Sequence, residues 1–460
     1  MSFTRVLRAV GAAGAAGALL FAAAPTASAD QVRNDQWALS AFSADKVWNE
    51  ATGKGVIVAV IDSGFKTDHP DLTGQFLKGK DFIDGGSSIE PYMAGDKPEH
   101  GTAMASIIAG HGHGAGNAAG VKGLAPDVKL MPIRDEGGND DGFASSIRFA
   151  VDQGASIINI SQIHRDSSLP DGIPAEREAV AYALDHGVAV VAGTGNDGDG
   201  PPNANETYPA AYPGVISAGA IDGKGEIWKN SNYGPTLITA PGVDIVTAGL
   251  DADGYDGGSG TSDATAYTSA ALALLKQKYP DLTPGQLANR LVKTAGLPAS
   301  AKGTSLPDEH YGYGFIKPYS ALTQNIPAGP KDGPLKIDEL NSSIAKAKGN
   351  SESAPSSSSP SGVADDPSAS SDSGGMSTGL IIGIAAGVLV ILVIVVVVIA
   401  RSKKNNGSGP PPPPSGGWGG GGNQPYPPQQ QYPGSYPQQA PPAQGGSYPQ
   451  APSQPPYGQQ

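Results

Sequence analysis

Three side chains far apart in the sequence, Asp62, His100 and Ser262, together have the chemistry of nucleophilic acyl transfer. A serine hydroxyl is too weak an acid to attack a peptide carbonyl unaided. It needs an imidazole to take its proton and return it to the leaving amine, and a carboxylate to hold that imidazole in one tautomer and stabilise its cation. Each of the three sits in a pattern that predicts the end of an element. The apolar run Val56-Ile57-Val58-Ala59-Val60-Ile61 leads straight into Asp62-Ser63-Gly64, placing a carboxylate at the carboxyl end of a strand, where open α/β sheets put their ligand sites. Glu99-His100-Gly101 opens a stretch of small residues through Gly110 that predicts a helix packed closely on a sheet. Gly258-Ser259-Gly260-Thr261-Ser262-Asp263-Ala264 leads into another helix with Ser262 at its N-terminus, where free backbone N–H groups can stabilise a developing negative charge. Singly, each has an ordinary structural reading: a turn-capping aspartate, a buried and satisfied histidine, an N-cap serine.

The elements that must gather these residues follow from apolar patterning. Ile157-Ile158-Asn159-Ile160 and Val188-Ala189-Val190-Val191-Ala192 are further short runs rich in β-branched residues. The fully apolar runs at Val56 and Val188 do not alternate as half-exposed strands would, which predicts a buried parallel sheet. Between the last two strands, Glu176 to His186 carries Ala179, Val180, Ala183 and Leu184 at helical spacing and stops at Gly187, completing a βαβ unit. Ala270 to Lys276 reads as helix, and Thr283-Pro284 starts another that carries Leu287, Leu291 and Val292. The prediction is one α/β domain with helices covering a mostly parallel sheet. The absence of cysteine excludes disulfides, thiolate metal sites and a cysteine nucleophile. A formal charge of -13, from 30 Lys and Arg against 43 Asp and Glu, argues against a nucleic-acid partner.

In the order Asp, His, Ser, these three stretches resemble the subtilisin-type serine proteases (subtilases). Val190 to Gly198 is similar to the segment carrying the family's oxyanion asparagine, which assigns that role to Asn196. Tyr208-Pro209-Ala210-Ala211-Tyr212-Pro213-Gly214, Ala240-Pro241-Gly242-Val243 and Tyr311-Gly312-Tyr313-Gly314 resemble further family signatures. The resemblance covers roughly Val56 to Leu322 and implies a subtilisin-like three-layer domain. It also implies a serine endopeptidase needing no cofactor, with Asp62, His100 and Ser262 catalytic, Asn196 at the oxyanion and Ser161 and Gln162 binding substrate. Two departures stand out. Four residues after Ser262 the family usually has Pro and this chain has Ala266, which predicts altered helix packing rather than lost catalysis. After Asn159-Ile160-Ser161 the family's glycines are replaced by Gln162-Ile163-His164, which predicts an altered substrate-binding edge. Asp263 suits a helix N-terminus and would disfavour acidic substrate groups. His111 and His113 bracket Gly112 in a stretch that reads as a loop, without a carboxylate cluster nearby in sequence, and no metal site is predicted there or elsewhere.

The ends of the chain carry targeting patterns. Arg5 and Arg8, an apolar stretch from Ala9 to Ala24 and Ala27-Ser28-Ala29 predict a signal peptide over 1–29, cleaved after Ala29. The short lead-in from Asp30 to Gly55, with Trp37 and Trp48 as apolar anchors, should wrap onto the domain surface, which predicts folding without a large prodomain. The peptidase domain is expected over 30–340, followed by a Ser-rich extracellular stalk over 341–378. Residues 379–400 are uncharged and about 33 Å long at helical rise, enough for one transmembrane helix. Arg401, Lys403 and Lys404 then place the 401–460 tail, rich in Pro, Gly, Gln and Tyr, in the cytoplasm as a disordered segment. The lead-in, stalk and membrane helix further resemble the mycosins, membrane-anchored subtilases of actinobacterial type VII secretion. The expected protein is a single-pass cell-membrane endopeptidase with an extracellular catalytic domain, polypeptide substrates and the type VII machinery as a partner. The unusual Gln162 edge supports an alternative, a catalytically weak subtilase serving as a peptide-binding or scaffold subunit.

Overall fold

The computed structural model describes residues 26–352, except positions 94, 96, 139, 166–170, 199–206 and 252–253. Residues 1–25 of the predicted signal peptide, most of the predicted stalk, the apolar segment 379–400 and the tail lie outside the described residues. Among the described residues no helix is long and apolar enough to cross a membrane.

Three helices open the described residues, α1 (Thr26–Asp35), α2 (Trp37–Phe42) and α3 (Ala44–Glu50). They lie against the domain as the tryptophans predict. Trp37 Nε1 donates to Val243 O at 3.0 Å, Trp48 Nε1 donates to Leu124 O at 3.0 Å, and Phe42 and Val47 are buried. There follow β1 (Ile57–Asp62), β2 (Lys80–Asp81), α4 (His100–Ala109), β3 (His111–His113), β4 (Ala119–Lys122), β5 (Lys129–Arg134), α5 (Ala144–Asp152), β6 (Ile157–Ile160) and α6 (Pro174–Asp185). The remainder comprises β7 (Ala189–Gly193), β8 (Ile216–Ile221), β9 (Ile238–Pro241), β10 (Ile245–Ala248), β11 (Tyr255–Gly258), α7 (Thr261–Lys278), α8 (Pro284–Thr294), α9 (Pro318–Thr323) and α10 (Ile337–Glu352).

Among the described residues the main sheet has the order β2-β5-β1-β6-β7-β8-β9, and each neighbouring pair is parallel. From β1 the chain crosses to the edge strand β2 and returns through α4 to β5, and β5-α5-β6 and β6-α6-β7 continue in that returning direction. Right-handed crossovers place α5 and α6 together on one face, where they pack on each other, and α4 packs with α7 in the other helical layer, giving three layers. Helix α7 packs on α4 and along β6 to β9. It is buried on all sides from Thr261 to Leu275 apart from Ser262, as expected of a helix through the centre of a domain. Its small residues Ala264, Ala266, Ala270, Ala271 and Ala273 permit that close approach, and Ala266 lies inside an unbroken helix. The predicted start at Thr283-Pro284 is a full capping box, with Thr283 Oγ1 accepting from Gln286 N and Gln286 Oε1 accepting from Thr283 N.

Two boundaries differ from the sequence reading. Helix α10 continues through the start of the segment read as stalk, because Leu340 is fully buried and Ile337 and Ile344 pack on the core beside it, the spacing of one helix face. Residues His111 and His113 form the short strand β3, paired antiparallel with β4, rather than a loop. The reason lies in Asp71, whose carboxylate accepts from Val121 N at 2.8 Å and pairs with His113 Nδ1 at 2.6 Å.

Candidate active site

The connections leaving the neighbouring strands β1 and β6 run in opposite directions across the sheet, β1 toward β2 and β6 toward β7. Such a switch point opens a crevice at the carboxyl ends of the strands. Asp62 ends β1, Ser161 and Gln162 follow β6, and Asn196 follows β7, so all four reach the same edge. His100 is the first residue of α4 and Ser262 stands in the first turn of α7. Gly101 is what lets His100 reach Asp62, since a Cβ there would lie 2.3 Å from Gly64 O and 3.1 Å from Asp62 Cβ. Gly195 has φ +105°, a conformation that turns the chain out of β7 to present Asn196.

The Asp62 side chain is fully buried. Its Oδ1 accepts from His100 Nδ1 at 2.8 Å and from Ser63 N at 2.8 Å, and Gln162 Nε2 reaches the same oxygen at 3.5 Å. The acceptor carboxylate fixes the proton of His100 on Nδ1, which leaves Nε2 as the base nitrogen. Burial penalises the imidazolium, but the Asp62 charge and hydrogen bond, with Asp263 adding to them, outweigh it and hold His100 above its ordinary value despite Lys97. Ser262 Oγ donates to Ser161 O at 2.9 Å, and Ser161 Oγ donates in return to Ser262 O at 3.1 Å. Asn196 Oδ1 accepts from both Thr261 N (2.9 Å) and Thr261 Oγ1 (3.0 Å). A backbone N–H can only donate, so this contact orients the amide with Nδ2 facing the cavity beside Ser262.

A cavity of about 460 Å³ is lined by His100, Ser161, Gln162, Ile163, Asn196 and Ser262, with Lys97 and Glu136 at its walls. All six predicted site residues therefore line it or bond directly to residues that do. His164 points elsewhere. Its Nε2 lies 2.7 Å from Oε2 of the fully buried Glu176, and its ring stacks on Tyr208, so the altered edge presents Gln162 and Ile163 rather than His164. Glu176 Oε1 also accepts from Phe143 N at 3.2 Å. One buried carboxylate thus ties the Ser161–His164 segment to the chain at Phe143. Asp263 is buried beside His100, and that burial pushes its carboxyl up to about 7 against the pull of the imidazole.

Several contributors carry no sequence motif. Asn159 is fully buried in β6, donating to Ser161 Oγ at 3.0 Å and accepting from Ser269 Oγ at 2.9 Å. The one signal for it is a polar residue inside an apolar strand. Glu176 has no comparable signal, because one acidic residue near a helix start reads as solvated surface. Among the described residues no group of three or more His, Asp or Glu is arranged to hold a metal, and Asp71 is His113's carboxylate partner.

Residues 53–314 match the model of the Subtilase family. Fervidolysin of Fervidobacterium pennivorans is 31% identical over 354 residues, which are 70% of this chain and 48% of that protein, so the chain spans about half its length. Mycosin-1 of Mycolicibacterium smegmatis is 31% identical over 357 residues, 66% of this chain and 76% of that one. The crystal structure of MycP1 with its N-terminal propeptide removed superposes with a TM-score of 0.54 at 32% identity, covering 64% of this chain and 99% of that one. A second MycP1 structure is described as coming from the ESX-1 type VII secretion system. With the family's model spanning more than half of the chain and the site built at its strand ends, this protein belongs to the subtilase family of serine proteases and is related to the mycosins.

Proposed function

We propose that this chain is a serine endopeptidase anchored to the cell membrane, in which Ser262 is the acylated nucleophile, His100 its base and acid, and Asp62 the orienting carboxylate. The observation that carries the reading is the 2.8 Å contact between Asp62 and His100 Nδ1 in a cavity shared with Ser262. For attack, Ser262 Oγ leaves the Ser161 carbonyl and gives its proton to His100 Nε2, and Oγ bonds to the substrate carbonyl carbon. The resulting oxyanion is met by Asn196 Nδ2 and the Ser262 backbone N–H, at about 3 to 4 kcal/mol for one such donor. Imidazolium then protonates the leaving amine, and water completes the cycle by the same exchange in reverse. Ser161 and Gln162 border the substrate's path, with Gln162 steadying Asp62 as well.

The apolar 379–400 segment and the basic residues after it support a single-pass anchor with the catalytic domain outside and the tail in the cytoplasm. The likeness to mycosins supports processing of exported proteins in type VII secretion as the biological setting. Kinetics test the chemistry. Because a triad acts as a unit, Ser262→Ala and His100→Ala should each abolish peptide turnover nearly as fully as the double variant. Independent, additive losses would refute the assignment. Protease shaving of intact cells tests the topology, since release of the Pro-rich tail from outside would reverse it.

A further inference from the structure

A second, smaller cavity of about 130 Å³ adjoins the first, sharing Lys97, His100, Asn196 and Ser262 with it, and is otherwise lined mainly from α4 and β11 instead of the strand end at Ser161. A polypeptide drawn across Ser262 must pass from one cavity into the other. The larger one runs along Ser161 to Ile163, an extended continuation of β6 that suits strand pairing with the residues before the scissile bond. The smaller one, between the start of α4 and the β11 end at Gly258, is left for the residue that follows it.

The wall of this smaller cavity is acidic. Asp263, Glu99 and Asp256 border it against one ammonium, Lys97. Asp263 is the decisive member, with 6% of its surface exposed and no hydrogen bond from another described residue, its carboxyl accepting only from its own backbone N–H. A buried carboxylate without a partner among the described residues is costly unless something supplies one. We propose that Asp263 makes this cavity a subsite for a basic side chain, so that the enzyme prefers lysine or arginine immediately after the scissile bond. The inference rests on the triad reading given above and adds the substrate class to it. The size is suited to such a side chain, since about 130 Å³ holds roughly four waters at about 30 Å³ each. Burial holds Asp263 near 7, with His100 and Lys97 pulling the other way, so the ionised, cation-binding form gains ground as pH rises through that region. An arriving ammonium shifts it further.

The test uses the full chain in detergent and matched peptides bearing lysine or acetyl-lysine after the scissile bond. Lysine should be favoured in kcat/KM by about tenfold to a hundredfold at pH 8, the range of one charge-assisted hydrogen bond. The ratio should shrink toward pH 6, and in Asp263→Asn it should fall to about one at every pH. Equal cleavage of the two peptides by the wild type overturns the proposal without any variant. So does a preference that survives Asp263→Asn, or one that appears before the scissile bond instead. A chain that cleaves no peptide and takes no active-site label overturns this proposal together with the triad reading on which it rests.

Discussion

Replacing Glu176 by alanine removes a carboxylate that touches no reacting atom yet supports the cleft from below. The Glu176 side chain is fully buried, with His164 Nε2 at 2.7 Å, Phe143 N at 3.2 Å and the Tyr212 hydroxyl close by, whose ionisation is opposed by burial and by the Glu176 charge. Alanine leaves an imidazole and a backbone N–H without their acceptor in the interior. Breaking one side of a buried pair of this kind costs about 3–5 kcal/mol, and at about 3 kcal/mol per molar urea for a domain of this size the midpoint should fall by roughly 1–1.7 M. The unfolding curve is measured by tryptophan fluorescence in a Ser262→Ala background, which prevents self-cleavage. The same change frees the Gln162–Ile163 edge. In the otherwise native enzyme, kcat/KM for peptides with several residues before the scissile bond should therefore drop by about tenfold or more, while labelling by a small fluorophosphonate changes much less. Glu176→Gln, which keeps an acceptor for Phe143 N–H, should recover part of both. A stability loss below about 1 kcal/mol, or equal losses for long peptides and the small probe, would show that Glu176 does not hold the edge.

Three further outcomes follow from the same geometry. Asp263 is raised from an ordinary 3.8 to about 7 by burial, so the stability it contributes is complete below about pH 4 and lost as pH rises through 7, a change of about 4 kcal/mol at 1.36 kcal/mol per pH unit. Asp263→Asn in the Ser262→Ala background should therefore gain on its parent from pH 4 to pH 8 in urea midpoints, and a constant difference would refute the burial argument. His100 is held above its ordinary value, against its burial, by Asp62 and secondarily by Asp263. Activity should fall as pH drops through a value above about 6.5, and that acid limb should move to lower pH in Asp263→Asn. Asn196→Ala should keep KM and lose about a hundredfold or more in kcat, a loss in KM alone being inconsistent with an oxyanion role.

The sequence reading and the structure agree best where one interaction dominates. Ile157–Ile160 is strand at the predicted bounds and the Val188 run is displaced by only one residue, because short runs rich in β-branched apolar residues favour a buried parallel strand. Asp62, His100 and Ser262 fall at element ends because strand ends and helix starts are themselves written in local patterns. What local pattern cannot carry is a pairing between distant polar groups. His164 and Glu176 meet only because α6 crosses behind β6, and Asn159 and Ser269 meet only because α7 lies on the same strand. His111 and His113 read as a glycine-flanked loop until Asp71, some forty residues upstream, supplies the carboxylate that fixes the hairpin. The turn of Ser262 Oγ toward the Ser161 carbonyl is likewise invisible in sequence, since it depends on β6 and α7 meeting at one edge.

Catalysis requires that Ser262 be activated by its neighbours. The most direct measurement is fluorophosphonate labelling of the full chain followed by mapping of the adduct. A single adduct on the peptide containing Ser262, lost in both Ser262→Ala and His100→Ala while both variants keep the wild-type fold by circular dichroism, is the predicted result. A folded wild-type chain that takes no label, or one labelled at another residue, would contradict it.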